Sequence, residues 1–118
     1  MEIYQNLLVW QKAIELVTSI YEVTSDFPEN EKFGLVSQMR RSSVSIPSNI
    51  AEGHARKKNG DFARFLRISY GSSAELETQL IIARNMKFIE STEFDRIQEQ
   101  ISVIRKMLNR LIASLLVQ

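Results

Sequence analysis

Arg40-Arg41-Ser42-Ser43-Val44-Ser45-Ile46-Pro47-Ser48-Asn49-Ile50-Ala51-Glu52-Gly53 decides how this chain folds, because it asks whether a helix survives a proline. Small residues weaken a helix interior, and a proline there costs about 3 kcal/mol or more. Yet the inward positions Leu35, Met39, Ser42 or Ser43, Ile46 and Ile50 keep a three-four phase straight through Pro47. A break and restart would lose that phase, and Ile46 would be a poor cap for a new helix. The pattern predicts one helix from about Glu31 to about Lys57, kinked at Pro47, with the carbonyl of Ser43 freed because proline has no N–H. Ser and Asn side chains nearby are the candidates to satisfy it.

Working outward, the same period predicts three more helices. The first covers roughly residues 6–25, with Leu7, Trp10, Ile14, Val17, Tyr21 and Thr24 as one stripe and Val9, Ala13, Leu16, Ile20 and Val23 beside it. Phe27-Pro28 stops it, and Asn30 is a candidate N-cap for the second helix. Lys57-Lys58-Asn59-Gly60-Asp61 is the next turn, with Asn59 a candidate cap, and the third helix runs from there to about Met86. Beyond Ser91 the positions Phe94, Ile97, Ile101, Ile104, Leu108, Leu111 and Leu115 form an unbroken seam. Such a seam favours packing at about 20° to its neighbours. Short connections make sequence neighbours antiparallel. The expected fold is all-α: a single domain over residues 1–118, an antiparallel up-down-up-down four-helix bundle.

With 118 residues, 44% of them hydrophobic and 25% charged, the chain has ordinary soluble composition and enough length for a core. It has no cysteine, which excludes disulfides and thiolate metal sites. Met1-Glu2-Ile3-Tyr4-Gln5 carries no basic stretch followed by an apolar run, so no signal peptide is expected. No apolar run approaches the roughly 20 residues a membrane span needs. The expected location is the cytoplasm.

Net charge is only +1, but its distribution is uneven. Residues 1–31 hold Lys12 against six acidic groups, net −5; residues 39–70 hold seven basic groups against Glu52 and Asp61, net +5. Arg56, Lys57, Lys58, Arg64 and Arg67 gather about one turn and the helix after it. They form either a solvated surface or a phosphate-binding rim of the kind that gives salt-sensitive, sequence-independent affinity. If helices two and three pair about that turn, facing positions sum to about 117. Ser45 then faces Ser72, Ser42 lies near Glu75, Arg40 or Arg41 lies opposite Glu75 or Glu77, and Glu52 lies near Arg64 or Arg67. Arg40, Arg41, Asn49, Glu52, Glu75 and Glu77 are therefore read as interhelical polar pairs rather than a ligand site.

Catalytic chemistry finds no foothold. A bundle di-metal centre needs Glu-x-x-His on two helices, and His54, the only imidazole, stands two residues after Glu52. A serine triad lacks any other base, and Gly53 and Gly71 make no phosphate loop. No metal, cofactor or enzymatic activity is expected.

Leu8-Val9-Trp10-Gln11-Lys12-Ala13, Phe33-Gly34-Leu35-Val36-Ser37-Gln38-Met39-Arg40-Arg41 and Ser45-Ile46-Pro47-Ser48-Asn49-Ile50-Ala51-Glu52-Gly53 resemble the bundle proteins encoded in 23S ribosomal RNA intervening sequences. Phe65-Leu66, Gly71-Ser72 and Glu75-Leu76-Glu77-Thr78-Gln79-Leu80 fit the same pattern, which spans nearly the whole chain. Ser42-Ser43 stand where alanines are common in that family. The family is also similar to the accessory variability protein of diversity-generating retroelements. The resemblance implies a homopentamer with no established enzymatic activity. Its expected partners are further copies of itself, structured RNA or DNA, or a protein such as a reverse transcriptase. The apolar surplus on helices one and four either widens the core or covers a subunit interface.

Overall fold

Four helices in a bundle make up the computed structural model, which describes residues 3–116. Glu2, counted above among the acidic groups, lies outside the described residues. After a single 3-10 turn at Tyr4–Asn6 come α1 (Leu8–Thr24), a second such turn (Glu29–Glu31), α2 (Leu35–Ala55), α3 (Asn59–Asn85) and α4 (Ser91–Leu116). There is no strand among the described residues.

The second helix begins later than its sequence suggests. Asn30 falls inside the 3-10 turn and does not cap α2. The Glu31 carboxylate takes the acceptor role instead, receiving the Leu35 N–H at 3.1 Å, because an orphan donor at a helix start accepts any well-placed oxygen. α2 then runs unbroken through Pro47 to Ala55. Side-chain donors near the proline go to the carbonyls of Arg40 (from Ser43), Ser45 (from Asn49) and Ile46 (from Ser69). Contrary to the expectation from sequence, none of them serves the Ser43 carbonyl.

Two helix ends close with a lysine in the left-handed region, Lys57 at φ 62° and Lys87 at φ 63°. At the second, the Lys87 N–H donates to the Arg84 carbonyl and the Phe88 N–H to the Ala83 carbonyl, at 3.0 and 2.9 Å. That is the paired-bond terminator in which glycine is the usual residue. On the α3 side of the first turn, Lys58 holds the cap position and Asn59 is already the first helical residue.

The core is a column of large side chains from all four helices. Leu16 and Ile20, Met39, Ile46 and Ile50, Leu66, Leu76 and Leu80, and Ile97, Ile101 and Leu108 are fully buried. Each contributes roughly 1.5–3 kcal/mol by leaving water. Phe27 and Phe88, with ring centres 5.6 Å apart, meet at one end. In α1 only the Val9-Ala13-Leu16-Ile20 stripe enters this column. The neighbouring stripe lies at its margin: Ile14 and Tyr21 are exposed, Trp10 and Val17 are half-buried, and Thr24 is buried.

Between α2 and α3 the packing changes character. Ser45 and Ser72 hydroxyls meet at 2.8 Å, and Ser42 donates to Glu75 at 3.1 Å, the two pairs expected from the turn. Ser69 reaches the Ile46 carbonyl at 2.9 Å. Partner numbers fall as those of α2 rise, so these two helices run in opposite directions. At Gly53 the two helices come so close that a Cβ there would stand 2.6 Å from the Phe65 Cβ.

Candidate nucleic-acid interface

The α2–α3 turn and the last turns of α4 share one end of the bundle. His54, Lys57, Lys58, Asn59, Phe62 and Leu115 line a hollow of about 290 Å³ there. Leu7, Val9, Met107 and Leu111 meet nearby, which brings the start of α1 to the same end. Dividing each helix at its midpoint then sorts the charges. The half built from residues 3–16, 46–72 and 104–116 holds nine basic against three acidic groups, net +6. The half built from residues 17–45 and 73–103 holds six basic against ten acidic, net −4.

The five rim cations are not equivalent. Arg56 pairs with Glu52 at 3.1 Å and Arg64 with Asp61 at 3.9 Å, both within one helix and both exposed. Pairs so exposed hold their charges loosely. The same two guanidiniums lie over the ring of Phe65, at 5.0 and 4.5 Å, so a nearly buried phenylalanine anchors them at the surface. Lys57, Lys58 and Arg67 are exposed and form no ion pair among the described residues. Lys106 and Arg110, exposed on α4, extend the basic end and were missed in the sequence. Their signal was the order of charge along α4, where Glu93, Asp95 and Glu99 precede Arg105, Lys106 and Arg110. Arg105 adds its charge to this end but is held inward: it donates to the Tyr70 carbonyl and to Ser73 Oγ, with its guanidinium 4.0 Å over the Tyr70 ring.

The six residues read as interhelical pairs divide. Glu75 accepts from Ser42, and Glu77 accepts from Gln98 of α4. Arg40 crosses to α1 rather than to Glu75 or Glu77, donating to Thr24 Oγ1 at 3.0 Å and the Tyr21 carbonyl at 3.3 Å over the Tyr21 ring. α1 offers it a carbonyl, a hydroxyl and a ring at once, which a single exposed carboxylate cannot match. Arg41 is exposed and has no ion pair among the described residues. Asn49 and Glu52 stay within α2, bonded to Ser45 and Arg56, because a partner one turn away closes more easily than one on another helix.

Exposed cations on flexible stems suit phosphate contacts, which orient a nucleic acid without reading its bases. His54 packs edge-on against Phe62 at 5.5 Å. Among the described residues no group of three or more His, Asp or Glu is placed to hold a metal ion, and no helix is long and apolar enough to cross a membrane.

An all-helical bundle with one basic end is the class this geometry defines. Residues 5–110 match the family model of the 23S rRNA-intervening sequence proteins, and the chain belongs to that family. It is similar to a crystal structure of a protein of unknown function from the S23 ribosomal protein family of Bacteroides thetaiotaomicron. The two are 25% identical with a TM-score of 0.83, over 90% of this chain and 96% of that one. No curated protein matches the chain.

Proposed function

We propose that this chain is a non-enzymatic scaffold that assembles with copies of itself and binds structured RNA through its basic end. The separation of charge, +6 in one half of the bundle against −4 in the other, carries the reading. A field of one sign confined to one end draws in a polyanion and orients it. RNA affinity should fall linearly in log–log form with salt, by about 0.9 per neutralised phosphate on a duplex and less on single strands. Reversing Lys57 and Lys58 to Glu should weaken all RNAs about equally and leave the melting temperature nearly unchanged. Undiminished binding by that variant in moderate salt would reduce the basic end to a solvated surface.

Self-assembly is supported by apolar surface on two different sides. Ile14, Tyr21 and Val44 are exposed on α1 and α2, with Phe33 at 90% exposure beside them, while Ile68 and Ile82 are exposed on α3. Two unlike faces favour head-to-tail contacts, which close into a ring where the rotation between copies allows it. The family resemblance supports five copies in that ring. Sedimentation as a 13.6 kDa species at micromolar concentration would refute assembly. The same Phe33 surface favours the second reading, a module for a protein partner. Pull-down recovering protein without RNA would select it.

A further inference from the structure

The outer side of the α2–α3 pair carries a cleft of about 500 Å³ lined by Gln38, Arg41, Ser42, Ser45, Glu75 and Gln79. Every lining side chain is polar. Helical spacing collects them: steps of three and four align the α2 residues on one face, and Glu75 and Gln79 sit one turn apart on α3. The cleft is not internally satisfied. Gln79 is only 6% exposed, and its wholly buried Oε1 has no hydrogen-bond partner. Arg41 and Glu75 line one cleft yet form no ion pair, and Glu75 Oε2 accepts no hydrogen bond from the described residues.

We propose that this cleft binds a guanine base. The site presents a carboxylate on α3, with a guanidinium on the facing helix. Its complement is a planar group with adjacent donors on one edge and adjacent acceptors on the next. Guanine alone among the four RNA bases has that layout. Its N1–H and one N2–H meet the Glu75 carboxylate, and O6 and N7 take the forked donors of Arg41. Adenine and cytosine offer one exocyclic donor beside acceptors, and uracil sets one donor between two acceptors. No aromatic ring lines the cleft, so base preference rather than tight affinity is the quantity that reports the site.

The base arrives either on a free nucleotide or in an unpaired stretch of RNA. The second source rests on the RNA reading above; the first does not. Titrating the intact protein with GMP, IMP, AMP, CMP and UMP, followed by amide NMR, separates the cases. GMP should bind at least about tenfold tighter than the others. IMP should lose that advantage because it lacks the N2 amine. Glu75→Gln keeps an acceptor for Ser42 but loses the carboxylate, and it should abolish the preference with the melting temperature unchanged. Arg41→Met is the second variant, on an exposed residue with the same expectation. Equal binding of all five nucleotides, no binding of any, or a preference for GMP surviving both variants would overturn the proposal. Guanine-bearing and guanine-free single strands then identify the source: discrimination between them assigns the site to RNA, and discrimination among mononucleotides alone assigns it to a free nucleotide. A protein that prefers GMP but binds no RNA would fail the RNA reading and keep this one.

Discussion

Where α4 lies against the bundle, the contact is a column of large side chains: Phe94, Ile97, Ile101, Ile104 and Leu108, each at most 8% exposed. Where α2 meets α3 the contact is serine against serine, with Ser42, Ser43, Ser69 and Ser73 buried and Gly53 at a point of close approach. The first contact gains its stability from area removed from water and tolerates modest changes of shape. The second buries little apolar surface per residue but brings two backbones together, so its tolerance is steric. The two interfaces should therefore fail in different ways.

Deleting bulk exposes the difference most sharply. Ile101→Ala leaves a cavity in the column and should destabilise by about 2–5 kcal/mol, read from the midpoint of urea unfolding. Ser43→Ala removes a hydroxyl that bonds only to the Arg40 carbonyl of its own helix, and should change stability by less than about 0.5 kcal/mol. Equal losses at the two positions would mean that the serine contact is held by its hydroxyls rather than by its smallness.

Adding bulk reverses the ranking. A methyl group at Gly53 meets the Phe65 Cβ at 2.6 Å and the Phe62 carbonyl at 3.3 Å, atoms tied to the α3 backbone. Gly53→Ala should destabilise by about 1–3 kcal/mol even though alanine is the better helix former. Gly71 lies exposed in α3 with nothing within 4 Å of its missing Cβ. Gly71→Ala should therefore stabilise the monomeric fold by about 0.5–1 kcal/mol. Thermal melts of the two variants decide whether the α2–α3 contact is as close as Gly53 indicates; shifts of the same sign would break the distinction.

The column was legible because residue size and helical period agree along α4, and nothing competes with them. The α2–α3 register was legible for another reason: a short turn fixes the sum of facing positions, and small residues then found small partners at Ser45 and Ser72. That rule knows only the neighbour across the turn. Arg40 reaches α1, on the other side of α2, and no count from the α2–α3 turn reveals Tyr21 and Thr24 as its partners. The basic end was half legible, since a charge window along the chain sees Arg56 to Arg67 but not Lys106 and Arg110, which only folding brings to the same end. Gln79 left a weaker trace, an amide at an inward position between Leu76 and Ala83.

The smallest expected effect tests whether titration separates the two contacts as size does. At the edge of the α4 column, Arg96 donates to the Glu93 carboxylate at 2.9 Å and also reaches Ser19 Oγ of α1 at 3.2 Å. The hydrogen bond from Arg96 holds the Glu93 carboxyl below its ordinary value of 4.5, more than the partial desolvation raises it. A carboxyl whose folded value is depressed binds its proton more readily in the unfolded chain. The stability it lends is therefore complete above its unfolded value and disappears as pH falls through the lower, folded one. Glu93→Gln should sit slightly below wild type in melting temperature at neutral pH, with the gap closing as pH drops below about 4.5. The remaining carboxylates are common to both proteins and cancel in the difference. Ser69→Ala, which removes a hydroxyl of the serine contact that donates to the Ile46 carbonyl, should instead show a gap that does not move with pH across the same range. A pH-independent gap for Glu93→Gln would mean that the Arg96 contact is not made in solution, leaving Arg96 held by Ser19 alone.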